Sequence, residues 1–127
     1  MPTLSVQSPT SASTNASSLT PMPGLQLKMP QGDGESALVL LNLPNPYAKG
    51  SDFPGGTFGI SVNGTVSPVT ASFTYNEQVP QSTGRVPTTL AVSVPLSIQP
   101  QSVVALWAGV RGSTVIIDTP ATLSVIY

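Results

Sequence analysis

The sequence predicts an all-β protein, an antiparallel β-sandwich. Three observations carry that prediction. Short apolar runs recur about every 8–12 residues between clusters of Gly, Pro and Asn. Strong helix formers are scarce: the 127 residues hold 4 Lys+Arg and 5 Asp+Glu against 14 Pro and 31 Ser+Thr. No stretch repeats its apolar residues at the helical period.

The elements follow in order. Residues 7–23 are low in complexity, rich in Ser, Thr and Pro. They read either as a mobile arm or as an extended strand lying outside a sheet. The chain therefore divides into an N-terminal arm, 1–23, and one domain, 24–127. Leu25, Leu27 and Met29 alternate at period two, as a half-buried strand does. Pro30 to Gly34 is a turn cluster. Ala37 to Leu43 is nearly continuous in apolar residues, which predicts a strand buried on both faces. Pro44 and Pro46 stop it. Thr57–Val62 is a strand, Asn63-Gly64 is a hairpin turn, and Thr65–Tyr75 is the return strand, with Pro68 marking an edge or bulge. Further strands are expected at 88–94, 103–110, 113–118 and 123–127.

The strand from Val103 to Arg111 is apolar on both sides. Val104, Leu106, Ala108 and Val110 are assigned to the core. The opposite face, Val103, Ala105, Trp107 and Gly109, should be polar if solvated and is not. Another subunit or the chain's own N-terminal arm must cover it, and the first is the working expectation.

Composition excludes much chemistry. Cysteine and histidine are both absent, which removes disulfides, thiolate sites, the commonest general base and the commonest transition-metal ligand. Without histidine no serine has an activating base, and neither lysine lies in a Ser-Lys motif, so catalysis is not expected. The carboxylates are scattered; Asp33 and Glu35 lie together in what reads as a turn, and no metal or other cofactor is expected. A net charge of −1 offers no footprint for nucleic acid or anionic membranes. No segment is apolar enough to span a bilayer. The N-terminus lacks a basic n-region and an apolar h-region, so a soluble protein without a signal peptide is expected, released or displayed by another route if it acts outside the cell.

Where charge is this scarce, an arginine needs a reason, and there are two. Arg85 ends Ser82-Thr83-Gly84-Arg85, and Arg111 begins Arg111-Gly112-Ser113-Thr114. A planar cationic fork near hydroxyls suits a neutral polyol or an anion. Tyr75, Ser82, Thr83 and Arg85 lie within eleven residues and would match a sugar's hydroxyls and C–H faces. Each also has a plain structural reading. Tyr75 can be a strand-end core residue, Ser82-Thr83-Gly84 can be a turn, and Arg85 can pair with Glu77 or Asp118.

From Pro23 to Tyr127 the chain resembles the N-terminal domain of the Burkholderia superlectin family. The resemblance is densest in Pro44–Gly50, Asp52–Gly55, Phe73–Tyr75, Val79–Arg85 and Val110–Ser113. It implies a fold like that of tumour necrosis factor (TNF-like), a jelly-roll sandwich assembling as a trimer. It implies a lectin that binds fucosylated oligosaccharides on cell surfaces without calcium, in pockets between subunits. On that resemblance Thr74, Tyr75 and Arg111 come from one subunit, and Tyr47, Ser82, Thr83 and Arg85 from the next. Thr57 stands where the family has a second tyrosine, so a secondary contact there loses its ring. The family protein continues into a linker and a calcium-dependent lectin domain beyond the position of Tyr127. The alternative is a trimeric structural jelly roll of a fibre, capsid or secreted assembly with no sugar site.

Overall fold

The computed structural model describes residues 2–127, and among them every regular element is a strand. The strands are β1 (Thr3–Gln7), β2 (Ala12–Thr14), β3 (Thr20–Met29), β4 (Ser36–Leu43), β5 (Tyr47–Lys49) and β6 (Gly55–Val62). They continue as β7 (Thr65–Val66), β8 (Ala71–Thr74), β9 (Thr88–Pro95), β10 (Gln101–Val110), β11 (Thr114–Ile117) and β12 (Thr122–Ile126). All pairings are antiparallel. One sheet has the order β1-β12-β4-β9; a second has β3-β10-β6-β7, with β8 also on β6. A small third sheet, β2-β11-β5, closes the end where β10 leaves and β6 enters.

The core lies between the two large sheets. Val39, Leu41, Val92 and Leu123 from one side meet Leu25, Ile60, Val103 and Trp107 from the other, all buried. Alternation placed Leu25, Leu27 and Met29 correctly on the inner face of β3. Asn63 and Gly64 have φ of 51° and 82°, the two positive values that a type I′ turn requires. The return strand is interrupted. Thr65–Val66 and Ala71–Thr74 both pair with β6, and the segment holding Pro68 bulges away between them.

Two expectations are corrected. The run Ala37–Leu43 is not buried on both faces: Ala37, Val39, Leu41 and Leu43 point inward, while Leu38 is 39% exposed and Leu40 half-buried. Within one chain this sheet has a single covered face. In β10 the two faces are exchanged: Val103, Ala105 and Trp107 belong to the core, and Val104, Leu106, Ala108 and Val110 face outward. Both faces are apolar, so alternation alone could not choose between them; the bulky indole takes the interior. The outward face is covered by the chain itself. Leu106 pairs with Pro21 across a register shift, Leu19 lies over Gly59, and the Gly109 amide donates to the Ala16 carbonyl at 2.8 Å. The apolar outer face of β10 therefore gives no argument for a second subunit.

The N-terminal stretch contributes edge strands. β1 pairs with β12, and β2 pairs with β11, in registers centred on Ser5↔Ser124 and Ser13↔Ile116. The Ser8 amide and hydroxyl bond Ala121 from both sides, at 2.9 Å each, fastening the chain where β1 ends.

Candidate functional site

At the end closed by the small sheet, four loops converge. The turn after β10 runs Val110-Arg111-Gly112-Ser113, with φ of 50° at Arg111 and 75° at Gly112. Left-handed backbone costs a non-glycine residue about 1–2 kcal/mol. The conformation directs Arg111 to the loop before β6: Nε donates to the Asp52 carbonyl at 3.0 Å and Nη2 to the Phe53 carbonyl at 2.5 Å. Phe53 is itself left-handed, with φ of 45°, and its amide donates to the Gln78 carbonyl at 3.0 Å. Strained residues linked by charge-assisted bonds are a feature of built sites rather than of idle loops.

Ser113 fastens the same turn from beneath. It is fully buried; its Oγ donates to the Val110 carbonyl and accepts from the Gly55 amide at 3.1 Å. Gly55 is required here by close approach, because a Cβ would run into the Phe73 carbonyl oxygen.

Tyr75 braces the long loop between β8 and β9. Its ring packs edge-on to Phe73 at 5.7 Å. Its hydroxyl donates to the Gly84 carbonyl at 2.6 Å and accepts from the Ala48 amide at 3.2 Å. Tyr75 thus ties Gly84 to β5, and the Val86 amide adds a second tie to the Pro46 carbonyl at 2.9 Å. Between these anchors, Arg85 lies over Tyr47, its guanidinium carbon 3.8 Å from the ring centroid. Arg85 Nη2 also donates to Asp118 Oδ2 at 2.5 Å, an ion pair more than two-fifths exposed on both sides.

One chain thus assembles Tyr47, Tyr75 and Arg85 directly. Ser82 is exposed and Thr83 half-buried on the same loop. Thr74 is exposed and points to the opposite side of β8 from Phe73 and Tyr75; Thr57, opposite Ser72 and Ala108, is half-buried. Arg111 is anchored to a different loop from Arg85. The phenol of Tyr75 already both donates and accepts within the chain. Of the two carboxylates considered for Arg85, the structure has it paired with Asp118. Sequence reasoning missed the roles of Asp52, Phe53 and Ser113, since carbonyl contacts and a positive φ leave no residue-type signature. Among the described residues no three or more acidic residues are placed to hold a metal ion. Among the same residues no helix is long and apolar enough to cross a membrane.

The profile of the family described as Bc2l-C, N-terminal domain, matches residues 7–126. A comparison with curated proteins gave no match. Among solved structures, dimeric latent PorU from Porphyromonas gingivalis superimposes with a TM-score of 0.51 at 14% identity, over 97% of this chain and 12% of that one. At that identity the likeness concerns the fold alone, and the chain spans about an eighth of the longer protein.

Proposed function

The chain belongs to the Bc2l-C N-terminal domain family, the TNF-like domain of the superlectins, and from that premise we propose that it is a non-catalytic lectin recognising fucosylated glycans in pockets between the subunits of a trimer. Membership of a lectin-type family supports carbohydrate binding in general. The observation that carries the finer reading is Arg85, exposed and held over Tyr47 with a single nitrogen bonded to the protein. A guanidinium has five N–H donors, so its remaining edge is available to vicinal sugar hydroxyls or the ring oxygen. Ser82 and Thr83 supply hydroxyls beside it, and Tyr47 an aromatic wall.

Arg111, anchored to the loop before β6, and Thr74, on the opposite side of β8 from Tyr75, would serve the pocket of a neighbouring subunit. An interface for that neighbour is at hand. The outward side of the β1-β12-β4-β9 sheet carries Leu38, Leu40, Ala91, Ser93, Ser124 and Ile126 among similar neutral residues. None of the chain's charged residues lies in this sheet. Charge-depleted, partly apolar sheet faces of this kind are what subunit cores are built from.

A small sugar limits affinity to roughly the micromolar to millimolar range, and three sites would add avidity on a cell surface. One observation favours the alternative of a trimeric structural module. Arg85 already has a carboxylate partner, and Arg111 is spent on backbone carbonyls.

Calorimetric titration with L-fucose, with mannose and galactose alongside, separates the two readings. The lectin reading expects fucose-selective binding near one site per chain, unchanged by chelator and lost in Arg85→Ala. Absence of binding to any of the three, together with a trimer by sedimentation, supports the structural module. A monomer at micromolar concentration removes the inter-subunit pocket.

A further inference from the structure

Arg85 sits on a segment, residues 75–87, that contains no strand, and its backbone is tied only through its neighbours Gly84 and Val86. An arginine there has a long, rotamer-rich side chain and would ordinarily sample many orientations. Asp118 removes that freedom. It follows β11 directly, and β11 pairs with β5 so that Ile116 stands opposite Tyr47. Two residues on from Ile116, Asp118 comes to the same side of the small sheet as Tyr47. The guanidinium is thereby held between a ring at 3.8 Å and a carboxylate at 2.5 Å.

The pair is exposed, with side-chain accessibilities of 42% and 43%, and ion pairs of that kind contribute little to stability. Folding alone therefore gives a weak reason for the arrangement, whereas orienting a planar fork gives a strong one. We propose that Asp118 is a positioning residue of the sugar site: by taking one N–H of Nη2 it holds the Arg85 guanidinium over Tyr47 and leaves the remaining N–H groups for the ligand. This inference rests on the lectin reading above and assigns Asp118 a part in it.

The test is a double-mutant cycle on L-fucose affinity with Asp118→Ala, Arg85→Lys and the double variant, with Asp118→Glu as the conservative rescue. Asp118→Ala is expected to weaken binding about tenfold, and Asp118→Glu to recover most of the loss. In the Arg85→Lys background, where no planar fork remains to be oriented, Asp118→Ala should change affinity less than about twofold. Unfolding midpoints should barely move, as for any exposed pair. Wild-type affinity in Asp118→Ala overturns the positioning role while the lectin reading stands. An equal loss in both backgrounds also overturns it, since Asp118 would then act on the sugar directly. If the wild type itself ignores fucose, the lectin reading falls and this inference falls with it.

Discussion

At one end of the sandwich the loops after β8 and β10 are tied to β5 and β6 by Tyr75, Arg111 and Ser113, and two arginines are held in fixed places. At the other end, the β3–β4 turn and the β9–β10 loop surround an open hollow of about 390 Å³ lined by Gly32, Asp33, Leu96, Ile98 and Gln99. Concavity is the usual first guide to a ligand site. Yet the hollow offers no cation and no aromatic ring. The braced end carries both. Where a site is completed by a neighbouring subunit, one subunit shows only its wall, so side-chain chemistry is the better guide than cavity size.

Glycine substitutions sharpen this contrast most. Gly55 at the braced end has no room for a Cβ against the Phe73 carbonyl, whereas Gly34 at the hollow end has open space and only a φ of 87° to satisfy. Gly55→Ala should cost about 3 kcal/mol or more, because β8 must move off β6. Gly34→Ala should cost about 1–2 kcal/mol, the strain of a left-handed alanine. Urea unfolding at one fixed protein concentration measures both, and equal costs would mean that the braced end is not tightly built.

The two arginines come next. Arg111 makes two charge-assisted bonds to backbone carbonyls, and an alanine in its place would keep the left-handed strain without them. Arg111→Ala should lose about 2 kcal/mol of stability. Arg85→Ala removes only an exposed ion pair and a surface cation–π contact, and should lose less than about 1 kcal/mol. The reverse order in thermal unfolding would assign the structural role to the wrong arginine.

The smallest effect is expected at the hollow end. The Glu35 carboxyl titrates below the ordinary glutamate value, because the amides of Glu35 and Asp33 donate to its charged form. A carboxylate whose folded value is depressed stabilises the fold above its unfolded value, and that contribution fades as pH falls through the folded value. Glu35→Gln should therefore lower the unfolding midpoint slightly at neutral pH, and the difference should close in acid. A difference that ignores pH would mean the carboxylate's charge contributes nothing.

The sheets were legible where one face is apolar and the other polar, as in Leu25, Gln26, Leu27, Lys28 and Met29. They were illegible where that contrast is missing. β1 and β2 are edge strands rich in Ser and Thr, held by backbone pairing that leaves no apolar signature. β10 is apolar throughout, so its parity was decided by Trp107 and by the N-terminal segment folding over it. At the site, the scarcity of charge pointed to both arginines. Of the partners, Asp118 was one of the two carboxylates the sequence offered Arg85, whereas the Arg111 contacts depend on a left-handed turn that Arg-Gly permits but does not announce.

The central claim is that the braced end, not the hollow, receives the sugar. Amide chemical-shift mapping of the isotopically labelled protein with L-fucose tests it most directly. The account predicts perturbations grouped at residues 47–48, 74–75, 82–86 and 111–113, with residues 32–34 and 96–99 silent. Shifts grouped around the hollow, or none at saturating sugar, would contradict it.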